Sequence, residues 1–178
     1  MNIFSSLWAV LFCLTILLAG CSKADPGLFD GTGKKPVYLA LSELHHIGNE
    51  APRSIQMTGT IFLQDTLLFI LEQRKGIHVI NIKDSLNTVK VTFLRIPAIT
   101  DFTITDGRIY ADSWKDLVII DITNLYQIQE TGRLTDVIQP PLYPPMYRGI
   151  FECVDESKGA VVDWIDAELE DAACFSSI

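Results

Sequence analysis

The chain has 178 residues, 48% of them hydrophobic, and a formal net charge of −8. That length suits one domain with its own core, and that hydrophobic content excludes a disordered chain. The 14 Lys and Arg residues are scattered, with no run longer than Lys34-Lys35, which excludes a nucleic-acid surface built from clustered cations.

The first twenty-one residues, "MNIFSSLWAVLFCLTILLAGC", carry an apolar stretch from Leu7 to Ala19. A membrane span needs about 20 such residues, so the stretch is short for a span but suits a secretory signal. A signal helix is expected over residues 1–20. "LAGC", Leu18 to Cys21, resembles the lipobox of bacterial lipoproteins. The resemblance implies cleavage before Cys21, a diacylglyceryl group on its thiol, and anchorage in a bacterial envelope membrane. Ser22 favours the outer membrane over the inner one.

Residues 21–35, rich in Gly, Asp, Lys and Pro, read as a flexible tether. Residues 36–58 lead in with a strand, Val37 to Leu41, and a helix of two turns with Ser42 as N-cap and Gly48 as stop. His45 and His46 are adjacent, so they point to different sides of that helix and cannot share a metal.

Between Thr60 and Thr135, short apolar runs alternate with turn residues. "TIFLQ", "LLFIL", "IHVINI" and "VKVTFLRI" are followed by "FTIT", "RIYA", "LVIIDI" and "ETGRL". Val, Ile, Phe and Tyr bounded by Asp, Asn and Gly predict strands joined by tight turns. Asp106-Gly107 is the strongest hairpin signal. His78 faces opposite to Ile77 and Val79, which suits a structural role. Overlaying the halves at an offset of 40 aligns Ile77 with Leu117, Val79 with Ile119 and Ile82 with Ile122. Before the intervening turn the offset is 41, pairing Leu68 with Ile109 and Phe69 with Tyr110.

Four strands in roughly forty residues match the period of a β-propeller blade. "LVIID", Leu117 to Asp121, resembles the motif of the LVIVD-repeat bacterial lipoproteins, a β-propeller family. "RIYADSWKDLVIIDITN" and "GIHVINIKDSLN" resemble two successive units, and "EAPR" and "GAVVDW" are similar to segments of the same lipoproteins. Leu86-Asn87-Thr88 and Tyr126-Gln127-Ile128 stand where that family writes Asn-Pro. The expected fold class is all-β: two four-stranded, blade-like antiparallel sheets over residues 59–138. Propellers close with about four to eight blades, so this one would be incomplete. An uncovered apolar face and open strand edges would then favour self-association.

"QPPLYPPMY", residues 139–147, is a Pro-rich connector or an extended peptide ligand. Residues 148–178 read as a hairpin about Glu156-Ser157-Lys158, followed by a tail without pattern. Trp114 and Trp164 offer either a sugar-stacking surface or packing. With Cys13 removed and Cys21 lipidated, Cys153 and Cys174 remain as an exported pair, either disulfide-bonded or free.

No catalytic, phosphate-loop or cofactor motif is present, and two thiols with three scattered histidines give no zinc spacing. Asp101, Asp106, Asp112, Asp116 and Asp121 show no calcium-loop spacing. No cofactor or metal is therefore expected. The reading is an envelope lipoprotein whose repeats bind or scaffold a protein or glycan partner. Its alternatives are a remnant of a longer repeat protein and a lipid-anchored glycan-acting enzyme using the Asp-rich turns.

Overall fold

The computed structural model describes residues 28–177. The expected signal helix and the lipidation site Cys21 lie outside them. β1 (Phe29–Leu39) is followed by a short 3-10 turn, Leu41–His45. β2 (Gly48–Glu50) precedes a first meander of β3 (Thr58–Gln64), β4 (Leu67–Glu72), β5 (Gly76–Asn81) and β6 (Val89–Arg95). A second meander follows: β7 (Phe102–Thr105), β8 (Arg108–Ser113), β9 (Asp116–Asp121) and β10 (Gln129–Leu134). β11 (Arg148–Phe151), β12 (Ala160–Ala172) and β13 (Cys174–Ser177) complete the described chain. These strands form three sheets, ordered β2-β6-β5-β4-β3, β10-β9-β8-β7 and β12-β1-β11-β13. The fold is mostly β, and both meanders are antiparallel throughout.

The two meanders are built alike. Ile82 N–H donates to Thr66 O in the first, and Ile122 N–H donates to Gly107 O in the second. Asp84 accepts from the Leu86 N–H, and Asn124 accepts from the Tyr126 N–H, at the same place in each long turn. These Asx turns hold the chain without proline at Leu86-Asn87-Thr88 and Tyr126-Gln127-Ile128. The change of offset also has a physical source. Glu72 pairs with Gly76 across three turn residues, whereas Ser113 pairs with Asp116 across two. The hairpin at Asp106-Gly107 is closed by two residues at positive φ (48° and 70°), which a twisted two-residue turn requires.

Alternating apolar residues place one face of each meander against the other. Phe69, Leu71, Ile77, Val79 and Leu94 share a buried core with Ile104, Ile109, Ala111, Val118 and Ile120. Removing each of these Val, Leu, Ile and Phe side chains from water contributes about 1.5–3 kcal/mol. The remaining faces are less covered. On the edge strand β3, Ile61 and Leu63 are 61% and 58% exposed.

The third sheet departs from the sequence reading in several ways. The tether expected over residues 21–35 is strand from Phe29 onward, because the long β12 supplies an antiparallel ladder from Phe29↔Ala172 to Leu39↔Ala160. Glycine permits the close packing there: a Cβ on Gly33 would lie 2.5 Å from the Ile150 carbonyl oxygen. The C-terminal hairpin does not form, since β1 lies between β12 and β11. Glu156-Ser157-Lys158 is instead a 3-10 turn in which the Asp155 side chain accepts from the Ser157 N–H. The tail forms β13, paired with β11 from Arg148↔Ser177 to Phe151↔Cys174. Upstream, the expected two-turn helix is a single 3-10 segment with Ala40, not Ser42, at its N-cap.

Cys153 and Cys174 are disulfide-bonded across a sequence separation of 21 residues. In the chain-entropy account, a loop of this size restricts the unfolded state by about 3 kcal/mol. Replacing both cysteines with Ser is therefore expected to lower the urea midpoint by that amount of stability. An unchanged midpoint would mean that closing this loop adds nothing.

Candidate functional site

The three sheets meet along a seam built by turns. Arg74 occupies the three-residue turn between β4 and β5 with φ 63°, and Ala98, between the meanders, has φ 60°. Their backbones interlock: Arg74 N–H donates to Ile99 O at 2.6 Å, and Ala98 N–H donates to Arg74 O at 3.0 Å. The Arg74 guanidinium then donates to Asp163 Oδ1 on β12 at 2.7 Å. One residue thus ties both meanders to the terminal sheet.

Beside this node lies a cleft of about 160 Å3 whose lining includes Arg74, Asp112, Trp114, Gln139 and Trp164. Trp114 opens the two-residue turn between β8 and β9 with φ 60°, an uncommon conformation for a bulky side chain. It packs against the small cluster of Leu44, Ala98 and Ala160, and the Lys115 ammonium lies 4.7 Å from its ring centroid. Trp164 stands on β12 with its ring edge-on to Phe151, centroids 5.6 Å apart. The sequence places these tryptophans fifty positions apart, and the fold brings both to one cleft.

The Pro-rich connector supplies a third wall through Pro140, Pro141 and Pro145. It is held there because Val137 and Ile138 N–H both donate to Lys115 O at 2.9 Å. The cleft is mainly apolar with a few polar groups, as small-ligand sites usually are. Its volume lies below the roughly 300–1,000 Å3 typical of drug-sized ligands, which limits an occupant to about one ring.

Carboxylates near the cleft are already engaged. Asp112 accepts from the Thr100 and Asp101 N–H groups at 2.7 and 2.8 Å, and from the Thr100 hydroxyl. Asp163 is bound to Arg74. Asp116 accepts from Arg133 at 2.8 Å, and Asp121 caps Thr123 within its own turn. These aspartates therefore serve turns and ion pairs rather than converging on a common point. Among the described residues, no group of three His, Cys, Asp or Glu could hold a metal ion. His45 is exposed, and His46 pairs with Glu43 at 3.2 Å.

On the other side of Arg74, the outer face of the first meander buries a hydrogen-bonded pair, Glu72 and His78. His78 Nε2 donates to Glu72 Oε2 at 2.6 Å, and both residues are almost fully buried. Burial works against the Glu72 charge. Hydrogen bonds from His78 and Lys75, with the fields of Arg53 and Lys75, outweigh it, so the carboxyl titrates below its ordinary value of 4.5.

Sequence reasoning named Trp114 and Trp164, as either a sugar-stacking surface or packing, and Asp112 among the turn acids, but it missed Arg74, Glu72 and the connector's role as a wall. The step from offset 41 to 40 was the available signal, because Arg74 sits in the longer of the two matched turns. Comparison with protein-family models, curated proteins and solved structures found no match.

A carboxyl with a lowered folded-state pKa contributes stability above its unfolded value and loses it as pH falls through the folded one. Glu72 should therefore weaken the fold progressively below pH 4.5. Glu72→Gln is expected to be less stable than the parent at neutral pH and to show a flatter acid limb. Urea midpoints measured from roughly pH 3 to 6 test this; parallel limbs in the two proteins would exclude Glu72 as a source.

Proposed function

We propose that this chain is a lipid-anchored bacterial envelope protein whose β-propeller-type repeats present a glycan-binding cleft. The convergence of Trp114 and Trp164 on one cleft carries the reading. Indole faces suit the apolar C–H faces of a sugar ring, while Arg74 and Gln139 supply donors for ring hydroxyls. The strained backbone at Arg74, Ala98 and Trp114 gathers at this cleft, where a binding role would explain its retention. The propeller reading rests on the matched construction of the two meanders and on the resemblance of "LVIID" to the LVIVD motif. The exposed Ile61 and Leu63 of β3 support association with further sheet faces, including those of another copy.

Titrating the protein with monosaccharides and short envelope glycans should change tryptophan fluorescence in a saturable manner. A ring contact is worth about 0.5–1.5 kcal/mol, so Trp164→Ala should weaken binding by up to roughly tenfold. Unaltered affinity in both Trp164→Ala and Trp114→Ala would remove the cleft from consideration.

The anchor is tested separately. Cys21→Ser should abolish incorporation of labelled acyl chains and release the protein from the membrane pellet. A variant that still labels and still pellets would end the lipoprotein assignment.

A further inference from the structure

The end of the terminal sheet at which β1 begins is apolar on its surface. Leu28, Phe29 and Phe175 are 62%, 41% and 53% exposed. A single exposed side chain of this kind is ordinary. Here two of them form a pair: the Phe29 and Phe175 rings lie 6.2 Å apart between centroids. The pair joins the first and last described strands, β1 and β13. The bridge from Cys153 to Cys174 fixes the residue immediately before Phe175.

Covalent reach then says what lies opposite this pair. Phe29 follows Cys21 by eight residues. Even a fully extended chain spans at most about 3.6 Å per residue, so Phe29 stays within roughly 29 Å of Cys21. A lipid on Cys21 therefore confines this end of the fold to the membrane surface. Such confinement makes contact an intramolecular event, so a patch too small to recruit a free protein suffices.

We infer that this end of the terminal sheet rests on the bilayer holding the Cys21 lipid, with Leu28, Phe29 and Phe175 entering the headgroup region. The contact rests on the lipid-anchor reading. Asp30, Glu170 and Asp171 are exposed near Phe29, and the Asp171 N–H donates to Asp30 Oδ1 at 2.9 Å. Their charge favours a neutral lipid surface over an anionic one. The contact also sets the height of the tryptophan cleft. Trp164 pairs with Pro36, seven residues along β1 from Phe29. At about 3.3 Å per residue, β1 holds the cleft up to roughly 23 Å above the headgroups.

The mature acylated protein in phosphatidylcholine vesicles tests this, with Phe175→Trp as the reporter. Lipid brominated near the top of its acyl chains should quench the added emission. The parent, whose Trp114 and Trp164 lie in the cleft, should lose little. Quenching should weaken in vesicles rich in phosphatidylglycerol. Leu28→Ser combined with Phe29→Ser should speed transfer of the acylated protein between vesicles roughly tenfold, as for one partly buried aromatic side chain. Leu28 lies outside every strand, so Leu28→Ser alone should speed transfer while leaving the circular dichroism melt unchanged. Acyl labelling and pelleting are read on the same samples. A protein that labels and pellets without quenching of Phe175→Trp would overturn the contact and leave the anchor standing. A chain that takes no label would remove both. A dimer in detergent that Phe175→Ser dissociates would assign the face to a second copy instead.

Discussion

The backbone exchange between Arg74 and the Ala98-Ile99 segment is the constraint on which the seam depends. A non-glycine residue at positive φ costs on the order of 1–3 kcal/mol, and both Arg74 and Ala98 carry that cost. Two backbone hydrogen bonds between them offset part of it and fix the turn of one meander to the start of the next. With the turn fixed, the Arg74 side chain can point in only a narrow range, and it ends on Asp163. As an exposed ion pair that contact would contribute little. Its consequence is positional: it brings β12, and with it Trp164 and Val162, against the two meanders.

The terminal sheet follows from the same requirement. The turn ends of the meanders present Ala98 and Trp114, which need cover, and Leu44 of the 3-10 turn joins them. β1 and β12 supply it through Leu39, Ala160 and Val162. Joining the first and last described strands in one sheet ties distant parts of the chain together. The disulfide between Cys153, just after β11, and Cys174 on β13 secures the β11–β13 side of that sheet. The tryptophan cleft opens where this sheet meets the meanders, because turns and irregular segments cannot fill that junction as completely as paired strands fill the core.

Legibility in the sequence tracked how local each interaction is. Every strand from β3 to β10 pairs with its chain neighbour, so alternation and turn residues marked it directly. The terminal sheet joins Phe29–Leu39 to Ala160–Ala172, and no pattern within either segment announces the other. Residues 29–35 carry glycine and lysine because close strand approach and exposed ladder positions require them, a composition that a tether shares. The apparent hairpin at Glu156 failed for a related reason: β1 inserts between the two segments. Trp114 and Trp164 were visible as residues, but their meeting depends on that same nonlocal pairing. Arg74 was visible only as an irregularity between two otherwise matched turns.

Charge distribution gives the seam its chemical character. Elsewhere, exposed acids serve their own turns: Asp84, Asp121 and Asp155 each accept hydrogen bonds from residues two or three positions onward. Such local use leaves their charges spread over the surface. The cations are used across longer distances, since Arg74 reaches Asp163, Arg95 reaches Glu43 and Lys115 reaches Glu156. Long, flexible basic side chains can span between elements that short aspartates cannot. Basic residues therefore reach across the joins between sheets, each to a carboxylate, while Asp84, Asp121 and Asp155 serve the turns. A globally acidic chain thereby acquires a seam crossed by ion pairs, with aromatic walls on one side of Arg74 and paired charges on the other.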